Sequence, residues 1–127
     1  MKKIRFKSVI FASVAAIIVF AASGCGNDNS DGGAAAGIAK MKDTLVEVQK
    51  QVDAGDAAKV KEGANTLEEA WEGFEDGIKD KSADVYEKIE TPLHIIEAGA
   101  KEDTPDKEVL GDAINKLDEA LTEAEKL

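Results

Sequence analysis

The sequence predicts an all-α protein in which residues 38–127 form an up-down-up-down four-helix bundle. Two observations carry this expectation. Apolar residues recur at alternating spacings of three and four along four successive segments, the mark of an amphipathic helix with a narrow apolar seam, and strand-like alternation appears over no useful length. Short polar, Gly and Pro punctuation separates the segments, and short connections set neighbouring helices antiparallel. A spacing near 3.5 also fits an extended coiled coil, but segments of about 17 to 25 residues that end in clear turns favour the bundle.

The first seam is Ile38, Met41, Leu45, Val48 and Val52. Asp53-Ala54-Gly55-Asp56 stops this helix and caps the next. The second seam runs Val60, Ala64, Leu67, Trp71, Phe74 and Ile78. Ser82 then has the hydroxyl expected of an N-cap for a third seam of Tyr86, Ile89, Leu93, Ile96 and Ala100. Thr104-Pro105 opens the fourth helix, with Pro105 at the first helical position where its missing N–H costs nothing. Its seam is Leu110, Ile114, Leu117, Leu121 and Ala124.

Pro92 interrupts the third segment. Proline removes one backbone hydrogen bond and crowds the preceding turn, so this helix is expected to kink near Glu90 or to split in two. Gly73 and Gly77 lie one turn apart in the second segment, where the absence of side chains would admit another backbone.

Ahead of the bundle lie two segments of different character. Residues 1–24 read as a secretory signal peptide. Lys2, Lys3, Arg5 and Lys7 precede the apolar run Val9 to Ala22, which at about 14 residues is shorter than the roughly 20 that a spanning helix needs. Residues 25–37 hold Cys25 and then GNDNSDGGAAAG, which reads as a flexible tether. Extended, that tether would reach on the order of 40 Å. Its far edge is open, since Ala34 to Ala36 would also continue the first helix.

Composition excludes several functions. All 26 acidic residues follow Cys25, against 12 basic ones, so the mature part carries a formal charge of −14 and repels nucleic-acid backbones. With one Cys, no disulfide forms within the chain. There is no nucleophile constellation, no strand to precede a phosphate loop, and no calcium loop around Asp28 and Asp31. The chain is therefore not expected to be an enzyme.

Chemistry has one starting point, the single histidine. On a helix at 100° per residue, Glu90, His94 and Glu97 fall within about 60° of one another beside the third seam. Glu68, Glu72 and Glu75 flank the second seam on the corresponding side. Counted outward from the turn near Asp80, Glu72 comes level with Glu90 and Glu68 with His94. Carboxylates gathered this way repel unless a cation or protons neutralise them, and helical bundles build metal sites from Glu and His on facing helices. These six residues are the candidate metal ligands. The plain alternative is a solvated acidic face, which a chain with 33% charged residues would show anyway. Trp71, Phe74 and Tyr86 read as core, with the indole N–H and phenol directed to the groove.

Three resemblances follow from particular residues. Ala22-Ser23-Gly24-Cys25 resembles the bacterial lipobox, which implies that Cys25 becomes the lipidated first residue of the mature chain, anchored on the extracytoplasmic face of the cell membrane. Each buried lipid methylene contributes roughly 0.8 kcal/mol, so two or three acyl chains hold a domain firmly. Residues 71–90 run Trp71-x-x-Phe74-Glu75-x-x-Ile78, then Ser82, then Tyr86-x-x-Ile89-Glu90. This is similar to the extracytoplasmic helical segment of bacterial iron-permease proteins and related iron-uptake lipoproteins. It implies a helical domain near a metal transporter, with Glu75 and Glu90 as its positions of interest. His94-Ile95-Ile96-Glu97 resembles the His-x-x-Glu motif of the imelysin-like family, helical and extracytoplasmic, with Leu93 where that family has Gly. It implies a metal role for His94 and Glu97 and no peptidase activity.

Two expectations result. One is a membrane-tethered bundle that binds a metal cation, iron foremost, or assists its uptake by a permease. The other is a lipoprotein without a ligand that docks another envelope protein through one face. A hydrolase using His94 and Glu97 is disfavoured, because one His-x-x-Glu offers too few ligands.

Overall fold

The computed structural model describes residues 30–127, with side chains from residue 33 onward. The expected signal peptide, Cys25 and the start of the tether lie outside the described residues. Within them the chain is all-α, with five helices: α1 (Ser30–Ala54), α2 (Ala57–Glu72), α3 (Glu75–Lys81), α4 (Ala83–Ala100) and α5 (Lys107–Ala124). None is long and apolar enough to cross a membrane.

α1 begins at Ser30, eight residues before Ile38, so the second half of the expected tether is helical. Ala34 to Ala36 favour helix intrinsically, and Ala34 packs against the core, so tertiary burial reinforces that preference. The helix ends in a Schellman arrangement. Gly55 takes φ 73°, its N–H bonds the Val52 carbonyl at 3.1 Å, and the Asp56 N–H reaches the Gln51 carbonyl at 3.0 Å. A left-handed residue at this position is one that Gly adopts without strain. Asp56 then caps α2, its carboxylate accepting from the Lys59 N–H at 3.1 Å.

The break in the helical run falls in the second segment and not at Pro92. α2 stops at Glu72, and Phe74 adopts φ −145° and ψ 0°, outside the helical region, before α3 begins. This turns the Phe74 ring inward, 7% exposed, edge-on to Trp71 at 5.2 Å between ring centroids. α4, by contrast, is one continuous helix through Pro92. Proline still withholds its N–H from the carbonyl one turn back, but the ring is buried in the helix interface, and that burial offsets the lost bond.

Ser82 ends α3 and caps α4, its hydroxyl accepting from the Val85 N–H at 3.3 Å. The cap of α5 is Asp106, which accepts from the N–H groups of Glu108 (3.0 Å) and Val109 (3.1 Å). Pro105 therefore precedes the cap, outside the helix it was expected to open. A carboxylate that satisfies two free N–H groups fixes the start better than a proline that satisfies none.

Every expected seam residue is buried except Tyr86, which is half-buried against the core; Ala70, Val85, Ala113 and Ala120 join them. Among the described residues no polar or charged residue is fully buried. α1 packs on α2 and α5, α4 on α5 and α2, and α3 on α4 and α1. The closest approaches occur at other glycines than Gly73 and Gly77, although a Cβ on Gly73 would stand 3.3 Å from the Ala70 carbonyl one turn back. A Cβ on Gly37 would meet three atoms of the Phe74 ring, one on Gly63 would meet Val48 Cγ2, and one on Gly99 would stand 2.7 Å from a Leu110 methyl, whereas Gly77 faces open space.

Candidate functional site

α2 and α3 together lie along α4, and their shared edge carries the six candidate ligands. The edge resolves into two pairs. Toward the α3 end, the Tyr86 hydroxyl donates to Glu90 Oε1 at 2.5 Å and has Glu75 Oε2 at 3.3 Å. Both carboxylates are thus drawn to one phenol, whose ionisation is pushed well up by the Glu90 bond first, then by burial and the neighbouring negative charges. Lys79 sets its ammonium 4.9 Å from the centre of the Tyr86 ring, a cation–π contact on the same edge. Trp71 lies behind, 5.4 Å from Tyr86 between centroids.

About two turns further along, Glu68 and Glu97 meet across α2 and α4. The Glu68 carboxyl is raised from 4.5 to about 7, by burial first, then by its hydrogen bond to Glu97 and the charges of Glu97 and Glu72, with His94 pulling the other way. Two carboxyl groups can hydrogen-bond only when one holds a proton, and at about 7 the Glu68 carboxyl is part-protonated at neutral pH. Glu68 Oε2 and the Trp71 indole N–H are both buried without a hydrogen-bond partner.

The expected single cluster of six is therefore two carboxylate pairs. Glu72 and His94 are exposed. Glu75 stands level with Glu90 where Glu72 was expected, because the break at Gly73–Phe74 resets the register of α3. Among the described residues no group of three or more His, Cys, Asp or Glu side chains is arranged to hold a metal ion. Tyr86, expected in the core with its phenol directed to the groove, is the member that the six candidate ligands left out. The signal for its role was its placement four residues before Glu90, a spacing at which helical side chains meet.

Compared with known proteins, the chain matches no family model, no curated protein and no solved structure.

Proposed function

We propose that this is an extracytoplasmic lipoprotein, anchored through Cys25, whose α2/α3–α4 edge binds a metal cation, iron foremost, or assists its uptake by a permease. The helices are read as a four-rod up-down bundle, with α2 and α3 sharing the second rod. Contacts between neighbours support that topology. Gly37 lies beside Phe74 and Gly63 beside Val48; Lys42 reaches Glu125 and Lys107 reaches the Asp53 carbonyl; Gly99 meets Leu110 and Lys88 meets Glu123. In each pair of helices one number falls as the other rises, as antiparallel packing requires.

The observation that carries the functional reading is the meeting of Glu68 with Glu97 across α2 and α4, where burial first and the Glu97 carboxylate second raise the Glu68 carboxyl to about 7. A cation at this edge would take the place of the Glu68 proton, as close carboxylates demand. Glu75 and Glu90 add a second pair of oxygen donors, and oxygen-rich sets suit hard cations. Each pair supplies part of a coordination shell, and water or a partner residue completes it.

Calorimetry with ferrous, ferric, copper and zinc ions tests the proposal. Binding is expected with proton release, and it is expected to vanish when Glu68 and Glu97, or Glu75 and Glu90, become Gln. No heat and no rise in melting temperature with any of the four ions removes the reading. A second reading, a docking lipoprotein without a ligand, draws on Ile95, a large apolar side chain 38% exposed beside His94. It predicts unchanged partner capture after His94→Ala and Glu90→Ala together.

A further inference from the structure

The early start of α1 fixes which way the domain faces. Only five residue steps separate Cys25 from Ser30, and at full extension these span no more than about 18 Å. A lipid on Cys25 would therefore hold the beginning of α1 close to the bilayer surface. Beside the start of α4, the end of the domain at that point is formed by three helix termini: the start of α1 and the ends of α3 and α5. They surround a cleft with an apolar lining of Ala34, Ala35, Ile38, Ile78, Ala124 and Leu127, of which Leu127 is 45% exposed.

The rim of this end carries both signs of charge. Of the five described helices, α3 alone carries basic residues in its last turn, Lys79 and Lys81. It finishes at the cleft, whose rim includes Asp80, Lys81 and Glu125. In a mature chain with 26 acids and 12 bases, an anionic lipid surface repels most faces. What the cleft offers a lipid surface is its apolar lining, since interfacial binding scales with buried apolar area.

We propose that this end of the domain lies against the bilayer, with the cleft between α1, α3 and α5 seated on the lipid surface. The proposal rests on the lipid-anchor reading. It sets the far end, with the α1–α2 turn at Gly55 and the loop between α4 and α5, about 37 Å further out, the length of a 25-residue helix. It also places Glu75 and Glu90 nearer the membrane than Glu68 and Glu97, so that the acidic edge runs from the outer half of the domain down toward the lipid.

The test uses the full lipidated chain in vesicles of phosphatidylethanolamine and phosphatidylglycerol. Ala35→Cys, Leu127→Cys and Asp103→Cys are each labelled with a fluorophore, and headgroup spin-labelled lipid serves as the quencher. The acyl thioether leaves Cys25 without a competing thiol. Probes at 35 and 127 are expected to lose most of their emission and the probe at 103 little of it. Equal quenching at all three positions, or stronger quenching at 103, overturns the proposal, with a circular dichroism melt confirming that each variant is folded. The mass of the N-terminal peptide separates the two layers. An unlipidated Cys25 brings down the anchor and this proposal together, whereas a lipidated Cys25 with an unquenched cleft brings down this proposal alone.

Discussion

Replacing Glu68 by Gln isolates the carboxyl pair on which the cation reading depends. In the folded chain the Glu68 carboxyl is raised to about 7, against an ordinary value of 4.5. The folded state therefore holds a proton that the unfolded chain has released, and stability linked to this group is full below about pH 4.5 and is lost as pH rises through 7. At 1.36 kcal/mol per pH unit the complete difference would be about 3 kcal/mol. Partial solvent access at this edge reduces it to on the order of 1 kcal/mol. The substituted amide is neutral at every pH and can still donate to Glu97. Urea melts followed by circular dichroism at pH 5 and pH 8.5 should show the Glu68→Gln variant gaining on the parent by about 1 kcal/mol as pH rises, equivalent to roughly 4–8 °C in a domain of this size. A gap that stays constant with pH, or moves the other way, would show that Glu68 and Glu97 do not share a proton, and would leave none for a cation to replace.

Gly37→Ala should destabilise the domain by about 1–2 kcal/mol, because displacing the Phe74 ring costs more than the roughly 1 kcal/mol of helix propensity gained. Gly33→Ala, with open space around it, should instead stabilise by up to about 1 kcal/mol, and urea midpoints for the two variants check both signs. Tyr86 is the single tyrosine, so absorbance at alkaline pH reads its ionisation directly; a midpoint at the ordinary value of 10 would contradict its bond to Glu90. Leu93→Ala should cost about 2–5 kcal/mol, whereas Ile95→Ala, on the partly exposed side of the same helix, should stay within about 0.5 kcal/mol, as melting temperatures would report.

The core was legible because burial in a helix follows a simple period. Met41, Leu67, Leu93 and Leu117, one from each seam, are all fully buried. The boundaries were less so, and for local reasons. Ala34 to Ala36 carry helix propensity but no seam residue larger than a methyl group, so nothing in their spacing declared which side of the boundary they fall on. Pro92 signalled a break that burial overrode, while Gly73 gave only a weak hint of the break that occurs. What decides there is the fit of Phe74 against Gly37 and Trp71, and the Gly37 contact joins residues far apart in the chain, which no local pattern contains. On the acidic edge, helical spacing found the six carboxylate and imidazole positions. It also set Tyr86 one turn before Glu90, but it could not find the other half of the bridge, because Glu75 lies on the neighbouring helix. Nor could spacing show that Glu72 and His94 point to solvent.

The short helix α3 also bears on how the domain moves. Seven residues long, it contributes one buried side chain, Ile78, and the Phe74 break severs its hydrogen-bond ladder from that of α2. Segments with so little buried apolar surface open well below the free energy of global unfolding. Amide hydrogen exchange should accordingly be fastest in residues 75–81 among the helix interiors. Each such excursion would swing the Glu75 carboxylate away from Tyr86 while Glu68, Glu90 and Glu97 hold their places, so half of the lower pair is hinged and half is bolted down.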